Sequence, residues 1–387
     1  MKRKVDSPIQ AIDLARAFCI YLVVQKHLIL SALVLRPSAA WAAWFFLKLC
    51  ENGIYGVFLF FVISGFLITR LADRMPGGLF QFNLKAFYVR RVARIAPLFL
   101  LAVALGSSFW MFAQPGQTPS VFCFNMPAAH DPVFWLSLLT FSFNWYCVAH
   151  PVFYFSQGFH WILLWSLSVE EQFYLLYPLF LLRVKKLRTL EWTLGILVCL
   201  GPLVRWTCAR AWPDETLLTS ISTIGIFDCI AAGALFYLLS KRAKTFLDKS
   251  RGVSAALCAG GSLLLAGVLL GTGAEDPGDQ IFAPTLLALG LGAFLLGAFS
   301  LKFLENKFLG VLGLPGKWSY GIYLLHVVVL FGLWPYLKGR DLWQCGVIYG
   351  LALLGTAFFS FRFFEVPLNL WIREKGAGAP TRKPKNR

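Results

Sequence analysis

The sequence predicts an all-α fold, a polytopic transmembrane helical bundle of about ten spans with both termini cytoplasmic. Three observations predict it. Hydrophobic residues make up 58% of the chain and charged ones only 14%. Apolar runs of about 18 or more residues recur, each long enough to cross a hydrocarbon core of about 30 Å. Lys and Arg fall in short segments between these runs, the pattern of loops retained in the cytoplasm.

The runs cover residues 10–35, 53–71, 96–113, 161–182, 190–207, 219–239, 253–271, 282–301, 318–335 and 343–362. The basic segments are Lys2–Lys4, Arg70–Arg94, Arg183–Arg188, Lys241–Arg251, Lys302–Lys317 and the tail from Arg373. Between them, Gln114–His160 contains no Lys or Arg and Glu275–Asp279 is acidic, so these face outside. Met1–Lys4 leads directly into a long run with no small-residue cleavage site, so the first helix is expected to be retained. Phe134–Val148 is apolar but left over. An eleventh span there would put the basic Arg183–Arg188 loop outside, so it is expected to be re-entrant or to lie at the external interface, where backbone needs protein or water to satisfy it. No stretch reads as a soluble domain. Residues 1–372 form one transmembrane domain, and 373–387 read as a basic, disordered cytoplasmic tail.

The formal net charge of +17 does not point to nucleic acid, because the cations are spread over loops rather than gathered on one soluble face. The nine cysteines contain no CxxC pair and no zinc spacing. Cys123 and Cys147 both fall in the external region, where a disulfide is possible. His130, His150 and His160 lie there too, without metal-ligand spacing. No metal site is expected, and no cofactor bound permanently.

Ionisable residues inside spans are costly and point to function. In the first run, Arg16 and His27 are eleven residues apart, almost three turns, so both point the same way about 16 Å apart along the axis. Asp13 joins the stripe; alternatively it only neutralises Arg16. Gly53–Ile68 brings Ser64 and Gly65, small residues that also serve close helix packing. Arg90, Arg91 and Arg94 precede the run at 96–113, where guanidinium forks and a helix N-terminus would hold an anion, or serve only as positive-inside charge. Trp165–Pro178 carries adjacent Glu170 and Glu171, which stand about 100° apart and cannot both face lipid. Ser319–His326 and Phe364–Pro367 follow, Glu365 and Pro367 being expected to end the last span and brace the bundle.

In this order, these segments resemble the membrane-bound acyltransferase-3 family, bacterial integral-membrane O-acyltransferases that modify polysaccharides, lipids and small molecules. The resemblance runs from Ile9 to about Trp371. It matches the family's arginine and histidine, with ten residues between them, to Arg16 and His27. Phe60–Phe66 matches its Phe-Phe-x-x-Ser-Gly-Phe segment, and Arg90, Arg91 and Arg94 its Arg-Arg-x-x-Arg cluster. Trp165–Glu170 matches Trp-Ser-Leu-x-x-Glu, and Ser319–His326 matches Ser-Tyr-x-x-Tyr-x-x-His. Phe58 departs from it, standing where many relatives are acidic, and so does Lys26 beside the histidine.

The resemblance implies an acyl-CoA-dependent O-acyltransferase, with acetyl-CoA or another acyl-CoA as co-substrate and a carbohydrate or lipid-linked sugar as acceptor, in the bacterial cytoplasmic membrane. His27, Arg16 and Glu170 are the catalytic candidates. Glu170 would fix the His27 tautomer or orient the acceptor, and Arg90, Arg91 and Arg94 would hold the CoA phosphates. Asp13, Ser64, Trp165, Tyr320 and His326 are the candidates for substrate contact. Two rival readings are a proton-coupled transporter or flippase using the same polar path, disfavoured by the lack of an internal repeat, and a donor that hands acetyl groups to a separate partner protein.

Overall fold

The computed structural model describes residues 7–31, 47–112, 131–151, 159–274, 276–301, 307–337 and 339–376. Among these there is no strand. The helices are α1 (Ser7–Ser31), α2 (Gly53–Asp73), α3 (Leu84–Phe112), α4 (Pro132–Leu139), α5 (Phe143–Ala149), α6 (Leu164–Val184), α7 (Leu187–Ala211), α8 (Thr223–Lys249), α9 (Arg251–Gly271), α10 (Pro277–Ala298), α11 (Lys307–Leu312), α12 (Leu314–Lys317), α13 (Ser319–Leu337), α14 (Leu342–Ser360) and α15 (Val366–Gly376). Among the described residues, seven segments are long and apolar enough to cross a membrane: 53–73, 187–211, 216–249, 251–271, 277–298, 319–337 and 343–376. With 25, 29 and 21 residues, α1, α3 and α6 also have spanning length. These three carry most of the ionisable residues singled out above. The chain is an all-α polytopic membrane bundle.

At the centre is α2, packed against α1 on one side and along α8 on the other. Lipid offers no hydrophobic drive between helices, so close packing must supply it. Accordingly α2 and α8 meet backbone to backbone: a Cβ added at Gly65 would stand 1.9 Å from the Ile230 carbonyl oxygen, and one at Gly233 would stand 1.8 Å from that of Val62. Only glycine fits at this crossing. Beyond α8 lie α7, α9 and α10, while α1, α3, α6 and α13 gather on the opposite side of α2.

Arg205 of α7 and Asp228 of α8 are both fully buried and paired. Arg205 Nη1 donates to Asp228 Oδ1 at 2.8 Å and Nη2 to Oδ2 at 3.0 Å. The remaining guanidinium hydrogens go to the Ile281 and Gly225 carbonyls and to Thr285 Oγ1, which in turn donates to Asp228 Oδ2. Three helices are tied by a network that satisfies every charge in it.

The apolar segment Phe134–Val148 forms α4 and α5, of 8 and 7 residues, too short to cross. Between them Phe141 takes φ +53, and its carbonyl accepts from Gln172 Nε2 of α6 at 2.7 Å. Cys147 is buried and unbridged, and Cys123 lies outside the described residues. His150 stacks on Tyr146 with ring centroids 4.2 Å apart; His130 lies outside the described residues. The expectation that Glu365 and Pro367 end the last span is half corrected. Residues 361–365 make a π-helical turn, and the helix then continues through Pro367 to Gly376. The wider turn absorbs what proline does to the hydrogen bonds of the preceding turn. Arg373–Gly376 are therefore helical, and the rest of the tail lies outside the described residues.

Removing one partner of a buried pair strands the other charge at a cost of about 3–5 kcal/mol, whereas apolar replacement of both costs less. Asp228→Leu is expected to lower the melting temperature in detergent sharply, and the Arg205→Leu/Asp228→Leu double variant to recover part of the loss. A double variant less stable than Asp228→Leu alone refutes this account.

Candidate active site

A cavity of about 180 Å³ lies between α1, α2, α3, α6 and α13. Three guanidinium groups line it, those of Arg16, Arg91 and Arg94, together with Ser64, Glu170 and Tyr174. Phe60, Phe61, Ile63 and Leu67 of α2 form one wall, and Tyr320 and Tyr323 of α13 another.

Sequence reasoning put the arginines before a helix N-terminus. Instead α3 starts at Leu84, where Asn83 Oδ1 accepts from the Ala86 amide at 2.9 Å, so the arginines lie within the second and third turns and the helix-dipole argument falls. Pro97 is carried inside the helix. Arg91 and Arg94, three residues apart, share the face that meets the cavity. Arg90 is turned about 100° away and does not line it.

The guanidiniums differ in their partners. Arg94 is ion-paired with the buried Glu365 at 3.2 Å and lies 5.3 Å from the Tyr320 ring centre. Arg91 lies flat over Tyr174, 3.6 Å from the ring centre, and its Nε is buried without a hydrogen-bond partner. No hydrogen bond or ion pair to a described residue holds Arg16. Asp13 is buried against Gly313 and Gly316 and makes no direct ion-pair contact with Arg16. Asp13 itself does not line the cavity.

Glu170 accepts from Ser64 Oγ at 2.6 Å and from the Tyr174 hydroxyl at 3.1 Å. It hydrogen-bonds neither histidine, so fixing the His27 tautomer is not its part. Glu171 Oε1 is buried with no partner. Trp165 is buried edge-on against Phe61, ring centres 6.0 Å apart, and packs rather than lining the cavity. Tyr320 lines the cavity, its hydroxyl donating to the Ile95 carbonyl at 2.7 Å.

The structure brings His27 and His326 together from helices that start 312 residues apart. His326 Nε2 stands 3.2 Å from His27 Nδ1, with ring centres at 4.9 Å. The surrounding carbonyls set the tautomers. His326 Nδ1 is 2.6 Å from the Tyr323 carbonyl oxygen, and His27 Nδ1 is 2.8 Å from that of Val23. A carbonyl only accepts, so both Nδ1 atoms carry hydrogen. His326 Nε2 is then the acceptor facing His27 Nδ1–H, and the basic lone pair of His27 is on Nε2. The Tyr349 hydroxyl donates to the His326 carbonyl at 2.8 Å and steadies that turn of α13.

Tyr323 adjoins both the cavity and His326. It lines the cavity, lies 6.0 Å from the His326 ring, and its hydroxyl is 2.7 Å from Ser166 Oγ. Sequence reasoning did not single out Tyr323, Tyr174 or Ser166, although the positions of Ser319, Tyr323 and His326 on one helical face signal the first. Among the described residues no group of three or more His, Cys, Asp or Glu side chains is placed to hold a metal ion.

Known proteins resemble this chain over most of its length. A family model described as an acyltransferase domain matches residues 9–363. The peptidoglycan O-acetyltransferase OatA of Listeria monocytogenes is 27% identical over 375 residues, covering 93% of this chain and 56% of that protein. The O-acetyltransferase OatA of Staphylococcus aureus is 29% identical over 408 residues, covering 99% and 60%. The chain thus spans somewhat over half the length of these relatives. No solved structure matches it. With the arginine and histidine of α1, the Trp-Ser-Leu-x-x-Glu segment of α6 and the tyrosine and histidine segment of α13 arranged around one interior, and the family model spanning almost all of it, the chain belongs to the acyltransferase-3 family.

Proposed function

We propose that this protein is a membrane O-acetyltransferase that moves an acetyl group from cytoplasmic acyl-CoA to a hydroxyl of an extracytoplasmic glycan in the bacterial cytoplasmic membrane. The relatives' names point to peptidoglycan as that glycan. The observation that carries the reading is the His27–His326 contact at 3.2 Å, which leaves His27 with a basic Nε2. His27 Nε2 takes the proton of the acceptor hydroxyl as its oxygen attacks the thioester carbonyl. Collapse of the tetrahedral intermediate breaks the carbon–sulfur bond, and the departing CoA sulfur takes that proton back. The base is regenerated and the acceptor leaves as an ester.

His326 acts as a positioning residue, adding a second acceptor to the His27 Nδ1–H that the Val23 carbonyl already engages and so fixing the ring's orientation. Arg16 and Arg91 have guanidinium hydrogens not used by described residues, which supports their engaging the donor's anionic groups, with Arg94 beside them. Arg16 is about 16 Å along α1 from His27, too far to stabilise an oxyanion at the histidine. Its part is therefore donor binding. Ser64 and Tyr174 hold Glu170 at the cavity wall between these two ends.

Detergent-purified protein given acetyl-CoA and a muropeptide acceptor is expected to release CoA and esterify the acceptor. His27→Ala should lower kcat by about 10²–10⁴-fold, the usual worth of a positioned base. His326→Gln keeps an acceptor for His27 Nδ1–H and should retain more activity than His326→Leu. Equal loss in both would refute the positioning role. A folded wild-type protein that binds acetyl-CoA but never cleaves it would refute the enzyme reading and favour a transporter.

Arg16→Gln and Arg91→Gln are expected to raise KM for acetyl-CoA by about 10–100-fold with a smaller change in kcat, since each removes a hydrogen bond to a charged group. A fall in kcat at unchanged KM would place these arginines in the chemical step instead.

A further inference from the structure

A second concave site lies away from the cavity just described. It is a groove of about 1080 Å³ between the turn at Gly78–Phe80 and the starts of the charged stretches of α7 and α8. Its walls are apolar: Leu79, Leu187, Trp192, Leu238 and Leu239. Its rim carries Arg188, Lys241 and Arg242, against one lining carboxylate, Glu191. Two of the cations are held in place by carboxylates, Lys241 Nζ at 2.7 Å from Asp73, which does not line the groove, and Arg242 Nη1 at 3.4 Å from Glu191, which does. All three remain exposed. At the floor, a Cβ on Gly195 would meet nothing within 4 Å.

We infer that this groove binds an acidic glycerophospholipid, its phosphate among Arg188, Lys241 and Arg242 and an acyl chain in the channel past Gly195. Two features favour a lipid over a free phosphate. The walls are apolar, which a free phosphate does not use. The groove also runs on into a stripe of exposed apolar side chains at helical spacing along α7, Trp192, Ile196, Leu200 and Leu203, which is the course a chain would follow into the bilayer. Trp192, 64% exposed, sits where an indole is favoured, at the boundary of headgroup and chain. Basic pockets between spanning helices on the side of the positive loops are suited to acidic headgroups.

Lys241 gives the site a link to the rest of the bundle. The Asp73 carboxylate it meets also accepts from the Tyr237 hydroxyl at 2.5 Å, so the rim cation belongs to the contact between the ends of α2 and α8. A lipid phosphate at Lys241 adds to that contact.

Native mass spectrometry of the full chain, exchanged into mixed micelles of phosphatidylglycerol and phosphatidylcholine, tests this without reference to activity. One phosphatidylglycerol is expected to be retained in preference to phosphatidylcholine. Arg188→Gln and Arg242→Gln, both exposed, should each lower its affinity about fivefold. Gly195→Trp leaves every charge in place but fills the floor, and should abolish retention of the lipid. Arg373→Gln, outside the groove, should leave it unchanged. Equal retention of the two lipids, or full retention by Gly195→Trp, overturns the inference. Thermal stabilisation by inorganic phosphate that persists in Gly195→Trp identifies a free-phosphate site and likewise overturns it.

Discussion

The rule on which this structure rests is that a charge or a backbone dipole taken out of water must find a partner inside the protein. The Arg205–Asp228 network obeys it completely: both charges are fully buried, the carboxylate is met by the guanidinium and a threonine, and the spare guanidinium hydrogens go to two carbonyls. It joins α7, α8 and α10 and leaves nothing for a ligand. The cavity on the other side of α2 departs from the same rule. Arg16 and Arg91 line it without hydrogen bonds from described residues. The two regions hold similar residue types but differ in satisfaction, and that difference supports reading the first as a brace and the second as the site proposed above.

Between these regions stands the glycine crossing of α2 and α8. Because the helices touch through backbone atoms, α2 cannot shift towards α8 without collision. The opposite face of α2 is therefore a fixed wall, and it carries Ser64 and the phenylalanines that bound the cavity. Ser64 in turn fixes Glu170 by a 2.6 Å hydrogen bond. The small residues of the Ser64–Gly65 pair thus have both of the roles that sequence reasoning weighed as alternatives: Gly65 packs and Ser64 faces the site.

The all-α membrane class was legible in the sequence because apolar length and basic loops report directly on the bilayer. The family was legible because its motifs are short runs with fixed spacing. Helix limits were less so. The start of α3 was misplaced because a cap at Asn83 and a tolerated Pro97 leave little trace in an apolar count, and the arginines were consequently read as lying outside the helix. The split among them, Arg90 away from Arg91 and Arg94, follows from helical period once that limit is known. The His27–His326 contact was not legible at all, since two helices far apart in the chain meet through a packing that no local pattern encodes.

On the reading proposed above, donor and acceptor arrive from opposite sides of the membrane, and the polar groups of the bundle are spread along that course. The guanidiniums stand at one end and the histidine pair at the other, about 16 Å apart along α1. Tyr323 and Ser166 are hydrogen-bonded at 2.7 Å, and the Tyr323 hydroxyl is also 3.0 Å from the Leu163 carbonyl oxygen. Leu163 is the N-cap of α6, so its carbonyl accepts the first bond of that helix and the Tyr323 hydroxyl as well. The tyrosine is therefore tied through one hydroxyl to the first turn of α6, beside both the cavity and His326. On that reading, a thioester arm reaching from the guanidiniums towards His27 runs along α13, which presents Tyr320 and Tyr323 to the cavity and carries His326 one turn further on.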